Sequence, residues 1–272
     1  MISEQTIELL KQFYGPGILT LTMQQVHIGL FLTAVRLSDG SCGVATSLND
    51  AGAHCCKEER DFGDLSPSKF TGSRVMDLFE TPKKNHLVDS LRIAVMNALS
   101  SQILSRSDYT IMENVDPVDL LDLDSPGTIT IVGSFQSYIR KICRTKNKLY
   151  VLELNESAIA DEHKQYFVPA NDFNRVLPES DIIIITGLTL VNNTIEGLLS
   201  AAPPRARVIV TGPSSSIIPD ILFKSGVNMI GATRITDPEL LFRVVSEGGG
   251  GYHLFQYCAQ KICIINESKP SK

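Results

Sequence analysis

Thr128-Ile129-Thr130-Ile131-Val132-Gly133-Ser134-Phe135-Gln136-Ser137-Tyr138-Ile139-Arg140-Lys141 is the stretch that decides the fold class. Five strand-forming residues run into Gly133, and a helical pattern begins within two residues of it. This is the opening β-turn-α of a nucleotide-binding type of unit. Further on, Leu149-Tyr150-Val151-Leu152-Glu153-Leu154 repeats the strand signal, with Glu153 near its end. In a doubly wound sheet, ligands sit at the carboxyl ends of the strands. The stretch therefore says where a ligand binds, not which ligand.

Outward from it the pattern alternates. Strands are expected at 128–132, 149–154, 182–186, 207–211 and 228–232, and helices near 135–143, 193–202, 217–225 and 238–247. The runs 181–186 and 207–211 are almost wholly apolar, as parallel strands covered on both faces require. Gly248 to Gly251 reads as a flexible joint before a last segment, 252–265. The second half, 128–272, is an α/β unit with a mostly parallel sheet.

The first half has a different rhythm. A helix over 3–14 is expected, capped by Ser3, with Ile7, Leu10 and Tyr14 on one face. Gln25 to Leu37 reads as one long strand, and 42–46 returns beside it. Asp39-Gly40 is the pair preferred by a two-residue type I′ turn, where both positions need positive φ. Ser66-Pro67 is expected to open a helix. Residues 86–106 give the clearest helix, with Val88, Leu91, Val95, Leu99 and Ile103 in register and Asn97 among them. Residues 1–112 thus make an α+β domain. The acidic segment 113–127 is the expected linker.

A chain of 272 residues is long enough for two domains. Its 43% hydrophobic content suffices for real cores, and a net charge of −5 argues against a nucleic-acid backbone as partner. No signal peptide and no apolar run of membrane-spanning length is apparent, so a cytoplasmic protein without a membrane partner is expected. The six cysteines, 42, 55, 56, 143, 258 and 263, are scattered, which favours reduced thiols over a disulfide framework.

Three strand ends should converge: Gly133-Ser134-Phe135, Thr186-Gly187-Leu188-Thr189, and Thr211-Gly212-Pro213-Ser214-Ser215-Ser216. The last offers hydroxyls and free N–H groups before a helix, which suits a phosphate or carboxylate. Plain turn and capping chemistry would use the same residues. Glu153 could accept from a ribose, yet the first turn reads G-S-F-Q where a dinucleotide fingerprint has G-x-G-x-x-G. Asn193 with Glu196 reads as a capping box, leaving Asn192 freer, and Asp237-Pro238 as a helix cap. His54-Cys55-Cys56 and Cys258-x4-Cys263 hold soft ligands, but neither has the spacing of a structural zinc site. No acid-base pair can be named.

The arrangement Val132-Gly133-x-Phe135, Leu152-Glu153, Thr186-Gly187-x-Thr189-Leu190-x-Asn192-x-Thr194 and Thr211-Gly212-Pro213-Ser214 resembles a prokaryotic family labelled for heavy-metal chelation. The first half, with its Asp39-Gly40 hairpin and Asn97-Ala98-Leu99 helix, resembles that family's other domain. The resemblance implies an enolase N-terminal-like domain joined to a Rossmann-like domain, with the site in the cleft between them. It implies ligand contacts at Gly133, Phe135, Glu153, Thr186, Gly187, Asn192, Thr194, Gly212, Pro213 and Ser214, and more weakly at Gly43 and Asn97. With Ser134 and Ser215 from the strand-end reading, these are the candidate ligand-binding residues. The ligand implied is a metal or a metal-chelating metabolite, with a transition metal ion as the associated cofactor. The rival reading is an enzyme using a nucleotide, NAD or S-adenosylmethionine, with Glu153 on the ribose. Homodimerisation is an expectation with no motif behind it.

Overall fold

The computed structural model describes residues 1–48, 65–83 and 85–268. Strand formers in the second half assemble into one eight-stranded sheet. Its members are Ile111–Glu113 (β4), Thr128–Val132 (β5), Lys148–Glu153 (β6), Phe167–Pro169 (β7), Ile182–Thr186 (β8), Arg207–Thr211 (β9), Met229–Ile235 (β10) and Ala259–Ile265 (β11). Their spatial order is β4-β11-β10-β9-β8-β5-β6-β7. From β10 to β7 all neighbours are parallel, and β11 lies antiparallel between β10 and β4.

The order fixes where a crevice opens. From β5 the chain adds β6 and β7 on one side, then crosses back to add β8, β9 and β10 on the other. The reversal falls between β5 and β8, and adjacent connections leaving in opposite directions open a gap at the carboxyl ends there.

Both faces of this sheet are covered, which is why its strands read as unbroken apolar runs. Ile129, Ile131, Ile184 and Ile209 pack with Ile139 and Ile142 of the helix Gln136–Ile142 (α4). Val132, Ile183, Ile185, Val208 and Val210 point to the opposite core, which they share with Leu91, Val95 and Leu99 of the helix His86–Leu104 (α3).

The first half contributes the helix Ile2–Tyr14 (α1) and an antiparallel sheet of Met23–Ile28 (β1), Leu32–Leu37 (β2) and Cys42–Thr46 (β3). Val35 and Ala45 belong to the α3 core. Leu32, Ala34, Cys42 and Val44, on the other face, pack with Leu241, Phe242 and Val245 of the helix Pro238–Ser246 (α9). The small sheet is therefore sandwiched between its own helix and one from the second half. The protein is a mixed α/β fold with a mostly parallel eight-stranded sheet and a small antiparallel one.

Several local expectations need correction. The single strand from Gln25 to Leu37 is a hairpin, β1 and β2, turned at Gly29, whose N–H bonds the Leu32 carbonyl at 2.8 Å. The Asp39-Gly40 turn is not type I′, because only Gly40 has positive φ, at 85°. Gly40 N–H bonds Leu37 O, and Leu37 N–H bonds Ser41 O, both at 2.9 Å, which is a three-residue loop with glycine in the left-handed position. Asp39 instead accepts the Ser41 amide and hydroxyl. No helix opens at Ser66-Pro67; Ser68 has φ 76°, and the next helix is Val75–Glu80 (α2). Ser3 lies inside α1 rather than capping it.

Asn193 and Glu196 do not form a capping box either. Asn193 has φ 58°, Asn192 accepts from Thr194, and Glu196 accepts the Ile2 N–H at the start of α1. The Asp237 cap is present, its carboxylate accepting the Leu240 N–H at 2.9 Å. The acidic segment is held by partners: Glu113 pairs with Arg234, Asp119 with Lys141, and Asp116 with Lys261. The last glycine of the four-glycine run opens the helix Gly251–Tyr257 (α10). His54, Cys55, Cys56 and the charged run 57–61 lie outside the described residues.

Candidate functional site

Gly133 follows β5 with φ 104°, a conformation that a side chain disfavours. A Cβ there would stand 3.1 Å from the Thr186 methyl, so glycine also lets the two strand ends of the crevice meet. Beside them lies a pocket of about 160 Å³. Among its lining residues are Gly133, Glu153, Thr186, Asn192 and Thr194, with Phe173 and Leu188 supplying apolar wall.

The polar groups of this pocket are preset by short-range bonds. One oxygen of Glu153 accepts the Leu154 and Asn155 amides, at 2.7 and 3.3 Å, which fixes the carboxylate at the end of β6. The Asn192 side-chain oxygen accepts the Thr194 amide and hydroxyl, at 3.3 and 2.7 Å, which turns its amide NH2 the other way. Thr186 Oγ1 accepts the Leu188 N–H at 3.3 Å. A carboxylate, an amide and a hydroxyl around apolar wall can bind and orient a small organic molecule.

Other expected residues lie elsewhere. Phe135, Gly212 and Pro213 line a separate pocket of about 490 Å³ beside α4 and α10. Ser134 sits half-buried in the turn between β5 and α4. Ser214 and Ser215 are wholly enclosed. Ser214 Oγ accepts the Thr46 N–H at 2.8 Å and donates to Thr46 Oγ1 at 3.2 Å. Ser215 Oγ lies 2.6 Å from the carbonyls of both Gly212 and Gly231. Gly187 carries no side chain because a Cβ would stand 2.9 Å from the Ser215 nitrogen.

Asn97, buried in α3, donates to the carbonyls of Val44 at 2.7 Å and Pro213 at 3.2 Å. Gly43 lets β3 lie directly on α3, since a Cβ would run into the backbone of Ala94 and Ala98. Both also line a third pocket, of about 320 Å³, between β3, α3 and β10. Of the fourteen expected residues, five line the crevice, and Phe135, Gly212 and Pro213 line the pocket beside α4 and α10. Gly43, Asn97 and Ser214 sit at the contact between the two halves, and Ser134, Gly187 and Ser215 line none of these pockets.

The three buried thiols among the described residues, Cys42, Cys258 and Cys263, are poorly placed for metal binding. Burial pushes Cys258 up to about 11 and Cys263 up to about 12, and raises Cys42 as well. Thiols held protonated at neutral pH are weak ligands. Among the described residues no group of three or more His, Cys, Asp or Glu is placed to hold a metal ion. No described helix is long and apolar enough to cross a membrane.

Residues 116–264 match the family DUF364, described as "Putative heavy-metal chelation", and residues 13–100 match DUF4213, which carries the same description. The chain belongs to the DUF364 family. A DUF364 protein of unknown function from Pyrococcus horikoshii superposes with a TM-score of 0.79 at 20% identity, covering 98% of this chain and 100% of that one. A second, from Desulfitobacterium hafniense DCB-2, gives 0.69 at 18% identity over 95% and 99%. An uncharacterized protein of Methanocaldococcus jannaschii is 28% identical over 151 residues, 54% of this chain and 55% of that protein. The chain thus spans about half the length of that curated relative. The structural likenesses establish the fold of this DUF364 chain.

Sequence reasoning missed part of the lining. Asp116, Tyr138, Tyr252, Phe255 and Lys261, which line the pocket beside α4 and α10, come from segments read as linker, helix or last segment, and Asn171, which lines the crevice pocket, from a stretch with no expected element. Asp116-Pro117 repeats the Asp-Pro cap signal of Asp237-Pro238, and Asp116 indeed accepts the Val118 N–H at 3.1 Å.

Proposed function

We propose that the crevice outside β5, β6 and β8 binds a small organic ligand, and that the metal role named for the family is exercised through a metal-chelating metabolite. In this reading residues 1–112 form an enolase N-terminal-like unit and residues 128–272 a Rossmann-like one, joined by 113–127. One observation carries it. Gly133, Glu153, Thr186, Asn192 and Thr194, which come from four segments, meet around one pocket at the point where the strand order reverses. The metal would arrive as cargo, its coordination supplied mainly by the organic molecule. Glu153 and Asn192 would orient that molecule, and the first unit, tied to the turn after β9 through Asn97 and Ser214, would hold the crevice wall in place.

Thermal unfolding against a ligand panel tests this. A chelate at a hundred times its dissociation constant stabilises by about 2.7 kcal/mol, a shift of roughly 5–10 °C. Divalent metals bound to citrate or histidine should raise the midpoint where the bare metals do not, and Glu153→Ala should remove the rise. A shift with bare metal alone, or one that survives Glu153→Ala, would overturn the reading.

A nucleotide- or S-adenosylmethionine-dependent enzyme is the second reading. It is favoured by Glu153 standing at the end of the strand next to β5, where an acid meets a ribose. A midpoint shift with NAD, ATP or S-adenosylmethionine, lost in Glu153→Ala, would select it.

A further inference from the structure

The 490 Å³ pocket beside α4 and α10 has a chemistry of its own. Phe135 and Tyr138, at the start of α4, stack with ring centroids 5.0 Å apart and planes 29° from parallel. Tyr252 and Phe255, on α10, add a second aromatic pair to the lining, and Tyr252 is 75% exposed. Glycines at 212, 231 and 251 line it too and keep side chains out of the space between.

Its polar end is a linked set of three side chains. Asp116, only 13% exposed, accepts the Tyr138 hydroxyl at 2.8 and 2.9 Å and the Lys261 ammonium at 2.9 Å. Burial, and then the Asp116 charge, raises the Tyr138 phenol well above its ordinary range, so it remains a hydrogen-bond donor. Lys261 is half exposed, and its ammonium lies 5.5 Å from the Phe255 ring centre. An ammonium has three donors, and Asp116 uses one.

We infer that this pocket binds a planar aromatic or heteroaromatic acid, its ring against the Tyr252 and Phe255 side chains and its anionic group on Lys261. Stacking on aromatic side chains selects a flat ring over a puckered one of the same size, because only the flat ring meets a π-face closely. The cation held by Asp116 selects a carboxylate over a neutral substituent. Asp116 also sets a limit: a doubly charged ligand would crowd its carboxylate, so monoacids fit best. The inference is independent of what occupies the crevice, because Glu153 does not line this pocket.

Salicylate and benzoate are the probes, with cyclohexanecarboxylate and phenol as controls, in calorimetric titrations of the full chain. Salicylate should bind about tenfold more tightly than cyclohexanecarboxylate and than phenol. Tyr252→Ala and Lys261→Met should each weaken it about three- to tenfold, the size of one stacking or ionic contact. Tyr252 is exposed, so Tyr252→Ala should keep the parent unfolding midpoint. Lys261→Met leaves the largely buried Asp116 without its cation and should lower the midpoint, so its titrations are made at a temperature where circular dichroism shows it folded. Glu153→Ala should leave salicylate binding unchanged, which separates this pocket from the crevice. Equal affinity for the flat and puckered acids, affinity unmoved in both pocket variants, loss of binding in Glu153→Ala, or no binding of either aromatic acid at millimolar concentration would each overturn the inference.

Discussion

The Ser214 hydroxyl, at the turn after β9, accepts the backbone N–H of Thr46 at the end of β3 across 2.8 Å. The bond joins residues 168 positions apart, with Ser214 fully buried and Thr46 partly so. With the Asn97 bond to the Pro213 carbonyl, it makes a turn expected to meet a ligand into a fastening between the two halves.

Ser214→Ala should therefore act on stability first. It leaves the half-buried Thr46 amide without its acceptor, a loss of about 1 kcal/mol. Urea unfolding monitored by circular dichroism should show the midpoint fall with an unchanged slope. An unaltered midpoint would mean that the turn is not a fastening.

Gly43→Ala and Gly40→Ala should differ sharply. The Cβ at 43 would collide with the α3 backbone at Ala94 and Ala98, whereas the space around 40 is open and only the φ of 85° is at issue. Gly40→Ala should cost about 1 kcal/mol. Gly43→Ala should cost several times as much, as overpacking against backbone does when nothing can yield. Comparable melting temperatures for the two variants would contradict the close β3–α3 contact.

Glu153→Ala should leave the fold nearly intact. Its bonds are to the two following amides, in exposed surroundings, so the loss should stay below about 1 kcal/mol. Ligand effects of this variant can then be read without a folding correction; a drop of several degrees in its melting temperature would remove that advantage.

Alkaline pH should destabilise the protein through its buried thiols. Cys258 and Cys263 ionise near 11 and 12 when folded, against 9.0 ordinarily. Above pH 9 the unfolded chain releases protons that the folded chain keeps. The contribution is therefore fully present below about pH 9 and lost as pH rises through 11 to 12. Stability measured by urea unfolding should decline over that window, and less steeply in Cys263→Ala. Peptide mapping after iodoacetamide at pH 8 should find both thiols unmodified in the native protein and alkylated in urea. Modification of either in the native state would show that it is not buried.

Removing the helix cap at α9 gives a local measure of how firmly that helix braces the small sheet. Asp237→Ala removes the acceptor for the Leu240 N–H and should cost about 1 kcal/mol. Hydrogen exchange should accelerate in α9 and in β1 and β2 together, since Leu241, Phe242 and Val245 pack on that sheet. Acceleration confined to α9 would mean that the two unfold separately.

What the sequence determined by itself is local and periodic. The apolar stretches within Ile182–Thr186 and Arg207–Thr211 name buried parallel strands, because a strand covered on both faces carries apolar residues at successive positions and not at alternate ones. The five-residue approach to Gly133 gives β5 to the residue, and the apolar spacing of 88 to 103 gives α3. Of the crevice residues, Gly133, Glu153 and Thr186 were legible because each follows or ends a strand whose period is clear, whereas Asn192 and Thr194 came from the family resemblance.

Tertiary structure decided the rest. Three-residue strands such as β4 and β7 have too little pattern to be read and exist because a neighbouring strand offers hydrogen bonds. Whether Asp39-Gly40 turns in two residues or three depends on the register of β2 on β3. That Ser214 faces Thr46 rather than a ligand, and that Asp116, Tyr138 and Lys261 meet across 145 residues of chain, follows from the order in which strands join the sheet. Spacing along the chain carries no trace of that order, since long-range pairing is chosen by which surfaces can be buried together.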